Sequence, residues 1–284
     1  MSDLATVSPL VVPAFDAALT GRGATLLDSD GDEADLPVRR WRGPADVADA
    51  WLLDRCSSPT VDLGCGPGRL LVGLARRGVP ALGVDHSAVA QAQCRARGVV
   101  MVRRDVFARV PGEGRWGHVL LADGNVGIGG DPAILLARAA RLLAVGGTLL
   151  VETDPAPDRD WRGTVRVRTA AGSGPPTRWA RVGAATLRRL ATPLSLTIVA
   201  ERPGVRAFVV LRRRGVEASR RRGQGAAGRR AERTATASLI SVRQPSPWLA
   251  REMPPPWAVI RPRAIDRPSP APLCSVGVRA PLPR

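Results

Sequence analysis

The chain has 284 residues, is 44% hydrophobic and carries a formal net charge of +17. That is enough apolar material for one sizeable core of about 200 residues with something to spare, and no run of about 18 apolar residues offers a membrane span. The charge comes entirely from arginine, since the sequence has no lysine and no tyrosine. Arginine in place of lysine, with 30 glycines and 26 prolines, follows GC-rich coding, so the basic balance is a weak sign of a nucleic-acid partner.

The N-terminus, MSDLATVSPL, lacks the basic-then-apolar order of a secretory signal, and the expectation is a cytoplasmic protein. Cys56, Cys65, Cys94 and Cys274 have neither CxxC spacing nor a histidine pattern, so they read as reduced thiols with no metal.

Taken in chain order, residues 1–44 read as a cap segment: a short helix in FDAALTGRG, an acidic loop DSDGDEADLP, then VRRWRG. The acidic loop resembles a calcium loop only superficially, because counting from Asp28 puts Arg39 at the final ligand position. Arg40, Trp41 and Arg42 are placed either to meet an anionic or aromatic substrate or to dock the segment onto the core; docking by Trp41 is the preferred reading. A covering helix is expected from about Ala45 to Arg55, with Val47, Ala50, Trp51 and Leu52 as its apolar face.

From residue 59 to 212 short apolar runs alternate with helix-period segments. PTVDLG is the first strand, followed by a helix to about Arg77; ALGVD is the second, followed by a helix capped by Ser87 and stopped by Gly98. VVMVRRD is the third strand and HVLLAD the fourth. A helix begins at Asp131-Pro132 and is expected to end at Gly146-Gly147, before a fifth strand TLLVETD. Residues 155–175 read as a Gly/Pro-rich excursion. A helix near 184–191 precedes a closing hairpin, SLTIVAERPGVRAFVVLRR, turning at Pro203-Gly204.

Strands separated by helices imply an α/β, doubly wound, Rossmann-like, mostly parallel sheet of about seven strands with an antiparallel closing hairpin. The expected domains are the cap at 1–44, a nucleotide-binding domain at 45–213, and an Arg/Pro-rich disordered tail at 214–284, where 14 of the arginines lie. That tail is read as a phosphate-neutralising appendage, an inert extension or read-through of the gene, the first being the less favoured.

Doubly wound sheets bind ligands at the carboxyl ends of their strands. There the first strand runs into Gly64, Gly66 and Gly68, where side chains would keep a ligand from the backbone amides and the helix start. The dinucleotide spacing GxGxxG requires a glycine where this chain has Arg69. A GxGxG loop after an acid, Asp62, suits instead a nucleoside that carries an amino-acid chain and no phosphate. Asp85, ending the second strand, is spaced to accept from both hydroxyls of a ribose. Asp105, ending the third, is placed to accept from the amine of adenine, with Val106 donating from its backbone and Phe107 giving an apolar face. Each acid alone also fits a helix cap or a solvated loop; three successive strand ends together make the stronger case.

On VDLGCGPG, GVDHS, RRDVF, HVLLADGNVGIGGDP and AVGGTLLVE, the chain over residues 45–212 resembles the class I S-adenosylmethionine-dependent methyltransferases. DGNVGIGG and the cap segment resemble an actinomycete-like bacterial branch of them. The resemblance implies that Asp62 and the loop Gly64, Cys65, Gly66 and Gly68 hold the methionine end of the donor. It implies that Asp85 sits at the ribose, Asp105, Val106 and Phe107 at the adenine, and Asp123, Gly124 and Asn125 near the methionine moiety and the methyl group; His86, which follows the ribose acid, is expected near the adenine edge. Asp123 and Asn125 are the candidate catalytic residues, although DGN is equally a turn sequence. His86 and His118, the two histidines, are poorer candidates for a base. The fourth strand is followed by ADGNVGIGG rather than the Asn/Asp-Pro-Pro-aromatic box of enzymes that methylate nucleic-acid amino groups, so the expected acceptor is a small molecule with an oxygen, nitrogen or carboxylate nucleophile. The alternatives are an RNA methyltransferase using the basic tail, an NAD(P)-dependent oxidoreductase, and a noncatalytic nucleotide binder.

Overall fold

The computed structural model describes residues 15–21 and 23–215. The expected tail, beyond its first two residues, and the first 14 residues lie outside that range.

The cap begins with helix α1 (Asp16–Thr20) and a hairpin of β1 (Thr25–Asp28) and β2 (Glu33–Asp35), followed by α2 (Val38–Arg42) and α3 (Val47–Leu53). The central part then alternates strand and helix except between β5 and β6: β3 (Thr60–Leu63), α4 (Arg69–Arg76), β4 (Ala81–Asp85), α5 (Ala88–Ala96), β5 (Met101–Arg103), β6 (Trp116–Leu121), a 3-10 segment at Asn125–Gly130, α6 (Pro132–Leu142) and β7 (Leu143–Thr153). After β7 come β8 (Asp160–Thr169), β9 (Gly172–Ser173), β10 (Thr177–Val182), α7 (Ala184–Ala191), β11 (Leu196–Arg202) and β12 (Ala207–Arg213).

The seven-stranded sheet runs in the order β11-β12-β7-β6-β3-β4-β5. Strands β3 to β7 pair in parallel, while β12 joins β7, and β11 joins β12, antiparallel. This is the doubly wound sheet and closing hairpin that the alternation of the sequence predicts. Period-two alternation explains its two cores, because successive residues of one strand face opposite sides. Val61, Leu63, Val119, Leu121, Leu149 and Val151 pack with α6 and α7. Leu120, Leu150, Phe208 and Val210 pack with Leu52, Leu53, Leu70 and Leu74 of α3 and α4. The caps read from sequence are present: Ser87 accepts from the Ala90 amide at 2.9 Å and Asp131 from the Ala133 amide at 3.0 Å.

Three local expectations are corrected. The helix expected to reach Gly146-Gly147 stops at Leu142, and Leu143 is already extended and paired with Trp116. The glycine pair belongs to a bulge inside β7, where a side chain on Gly147 would stand 3.0 Å from three carbonyl oxygens; glycine serves a helix end and a bulge equally well. The excursion at 155–175 is largely strand. β8, β10 and β1–β2 form a second antiparallel sheet in the order β10-β8-β1-β2, with β9 on β8. Thr164, Arg166 and Arg168 alternate with the buried Val165 and Val167, a period-two pattern that glycines and prolines obscure. This sheet draws on residues 25–35 and 160–182, on both sides of residue 45. The third correction concerns α3, whose Val47 is 86% exposed. A capping box of Asp46 and Asp49 starts the helix there and turns Asp49, Leu52 and Leu53 inward.

The acidic loop is the β1–β2 turn. Asp28 accepts from the amides of Asp30 and Asp32 at 3.0 and 2.9 Å and pairs with Arg181. Trp41 packs in a small core shared by the N-terminal segment and strands β8 and β10, 6.3 Å from Phe15, which lies 5.4 Å from Trp179; this is the docking role preferred for it. Among the described residues no helix is long and apolar enough to cross a membrane.

Candidate functional site

The parallel register brings the ends of β3, β4 and β5 side by side, with Leu63 opposite Val84 and Asp85 opposite Arg103. Beyond β3 the chain turns through Gly64, Gly66 and Gly68, all at positive φ (73°, 49° and 82°). Two of the three are also crowded by neighbouring side chains. A side chain on Gly64 would meet the Asn125 amide at 2.6 Å, and one on Gly68 the Cys94 thiol at 2.8 Å, whereas Gly66 faces open space. The loop is thus walled on two sides and bare on the third.

Asp85 is tied to this loop directly. Its Oδ2 accepts from the Gly66 amide and its Oδ1 from the Ser87 amide, both at 2.9 Å. His86 stands beside it, Nδ1 3.7 Å from Oδ1, with a largely exposed ring. Asp105 is folded into a local turn, its Oδ1 accepting from the Phe107 amide at 2.9 Å. Val106 is buried and its carbonyl accepts from Arg138 Nε at 3.0 Å. The Phe107 ring closes over Gly129, where an added Cβ would lie 2.8 Å away.

Asp62 is 2% exposed. Burial, followed by the charges of Asp123 and Asp85, pushes its carboxyl up to about 8. Cys65 and Cys94 both donate to the Gly66 carbonyl, at 3.7 and 3.3 Å. Contact between the two thiols and burial raise Cys65 well above the ordinary thiol range, so it acts as packing rather than as a nucleophile.

The two candidate catalytic residues are both engaged. Asp123 receives Arg40 Nη2 on Oδ1 at 2.8 Å and Arg69 Nη2 on Oδ2 at 2.6 Å. Both oxygens of this carboxylate are thus engaged by guanidiniums. Asn125 donates to the carbonyls of Leu63 and Gly64, at 3.0 and 2.8 Å, which ties the loop after β6 to the glycine loop. Gly124 faces open space at φ 78°.

Around Asp123 stands a group of charges that the sequence reading did not assemble. Arg69, the residue that breaks the dinucleotide spacing, is buried and pairs with Asp49 as well as Asp123. Arg206, from the tip of the β11–β12 hairpin, grips Glu152 with two hydrogen bonds, Nε to Oε1 at 2.8 Å and Nη2 to Oε2 at 2.7 Å, and reaches Asp49 at 2.9 Å. The charge of Arg206 is held above the ordinary guanidinium range: burial opposes it, but the bond to Glu152 and the surrounding carboxylates prevail. The only sequence signal was the Asp46-x-x-Asp49 capping pattern, which marks a helix start and no partner.

His118 lies away from all of this, at the amino ends of the strands. Its Nε2 accepts from the Ser57 amide at 3.1 Å, its Nδ1 is 2.7 Å from the Thr148 hydroxyl, and burial lowers its pKa. A cavity of about 640 Å³ opens there, lined by Ser57, Ser58, Gly117, His118, Gly147 and Thr148. It is the wrong end of a parallel sheet for ligand chemistry, and the glycine loop does not reach it.

The family model described as methionine biosynthesis protein MetW matches residues 46–111, the stretch from the capping box past Phe107. The ubiquinone biosynthesis O-methyltransferase of Methylococcus capsulatus is 33% identical over 99 residues, 33% of this chain and 42% of that protein, so the match spans less than half of the relative's length. A SAM-dependent methyltransferase from Bacteroides fragilis, solved in complex with S-adenosyl-L-homocysteine, aligns over 69% of this chain and 90% of its own, with a TM-score of 0.59 and 18% identity. At that identity the likeness is one of fold. With that neighbour the chain shares the doubly wound fold that its resemblance to the class I S-adenosylmethionine-dependent methyltransferases implied.

Proposed function

We propose that the chain is an S-adenosylmethionine-dependent methyltransferase whose acceptor is a small molecule. The observation that carries this reading is the sequence of three acids at adjacent strand ends, Asp62, Asp85 and Asp105, around a loop whose Gly66 faces open space. The chemistry of these residues fits the donor. Asp62 is a buried carboxyl with no ion-pair partner among the described residues, and the donor's ammonium group supplies one. Asp85 offers two oxygens to the ribose hydroxyls, with His86 at its rim. Asp105, the Val106 amide and the Phe107 ring suit adenine. The phosphates of a nicotinamide cofactor find less: Arg69, in place of the third glycine, is buried in its own ion pairs.

Bound there, the donor supplies a methyl group already activated by its sulfonium, so the protein's work is alignment and exclusion of water. The loop from Asp123 to Asn125 faces the methionine end and orients it, its charge fixed by Arg40 and Arg69. Isothermal calorimetry with S-adenosylmethionine and NADH in parallel tests the cofactor. Incubation with labelled donor and a metabolite extract then tests the reaction, by release of S-adenosylhomocysteine. Binding of NADH in preference to the sulfonium donor would refute the proposal.

A further inference from the structure

Asp123 stands at φ 54°, in the left-handed region that few residues besides glycine, asparagine and aspartate adopt. A hydrogen bond fixes it there: the Asp123 amide donates to Glu152 Oε2 at 2.8 Å. Glu152, near the end of β7, is itself 7% exposed, and a buried carboxylate keeps one geometry only if its oxygens are otherwise satisfied. Arg206 satisfies both, through the fork described above. The third nitrogen of the same guanidinium, Nη1, reaches Asp46 at 3.1 Å and Asp49 at 2.9 Å, so the covering helix α3 is tied to the same point. Arg206 therefore joins four segments distant in sequence: the closing hairpin, the end of β7, the loop after β6 and the start of α3.

We infer that Arg206 is a positioning residue of the donor site, acting through Glu152 to hold the Asp123–Asn125 loop against the methionine end of the donor. The inference rests on the methyltransferase reading but adds to it a residue from the antiparallel edge of the sheet. An arginine is required in this role because a lysine has one ammonium point and cannot span both oxygens of Glu152 while also reaching α3.

Two nucleoside probes separate positioning from general stability. S-adenosylhomocysteine carries the amino-acid end that the loop faces; 5′-methylthioadenosine lacks it and uses only the ribose and adenine positions. Arg206→Lys and Glu152→Gln are each expected to weaken S-adenosylhomocysteine binding roughly tenfold by calorimetry, with 5′-methylthioadenosine binding unchanged. The double variant should lose no more than the worse single one, since the two residues act as one unit. Equal losses for both probes, no loss for either, or additive losses in the double variant would overturn the inference. Binding of neither nucleoside by the parent protein would sink the methyltransferase reading itself, and this inference with it.

Discussion

Asp62→Asn isolates the cost of keeping a donor site ready. In the folded protein the Asp62 carboxyl titrates near 8, against 3.8 for the exposed group. Between those values the folded chain keeps a proton that the unfolded chain has lost, so stability falls as pH rises from about 4 to about 8, the reverse of the usual salt-bridged carboxylate. At 1.36 kcal/mol per pH unit the penalty at pH 7 is up to about 4 kcal/mol. Asparagine has nearly the same shape and no such proton, so the variant should melt higher than the parent, and the gap should widen with pH. At about 2–4 °C per kcal/mol for a domain of this size, thermal denaturation at pH 5 and pH 8 resolves it easily. The same substitution removes the partner of the donor's ammonium and should weaken S-adenosylmethionine binding. A second readout is proton release: at pH 7 the parent should give up a proton on binding the donor, seen as a dependence of the calorimetric heat on the buffer's ionisation enthalpy. A melting gap that stays constant from pH 5 to pH 8 would refute the assignment of a neutral Asp62.

The other expectations are briefer. Asp85→Ala and Asp105→Ala should each weaken S-adenosylmethionine binding by about 10- to 100-fold, the worth of a lost charged hydrogen bond, with circular dichroism confirming the fold. Gly64→Ala forces a side chain to within 2.6 Å of Asn125 at a φ of 73°, which should lower the melting temperature and abolish donor binding together. Removing residues 216–284 should leave melting temperature and donor affinity unchanged, because both sheets and their cores are complete between residues 15 and 215; a large fall in either would show that the basic segment takes part in the folded unit.

The ion network also limits the mechanism. Asp123 was the best-placed candidate base by sequence, at the end of the fourth strand, yet it is bonded to two arginines with a third 3.7 Å away. Its charge is committed to holding the loop and the cap together. That is consistent with a reaction in which the leaving group is already activated and alignment carries most of the catalytic work.

The amino-acid sequence by itself determined the features encoded at short range. Apolar residues in VDLG, ALGVD and HVLL specify strands with two buried faces, Ser87 and Asp131 start their helices, and Gly64, Gly66 and Gly68 make a turn at positive φ, all through spacings of a few residues. The same glycine signal misled at Gly146-Gly147, because a helix end and a strand bulge ask the same conformational freedom of the chain. Only the tertiary structure decided the second sheet, whose strands come from residues 25–35 and 160–182, and the charge network of Arg40, Arg69 and Arg206 with Asp49, Asp123 and Glu152. Arg206 and Asp123 are 83 positions apart, and an arginine in a hairpin turn looks like any solvated surface charge until folding removes the water around it. Partners of that kind leave no periodicity and no motif, because burial creates them, and burial is a property of the folded chain.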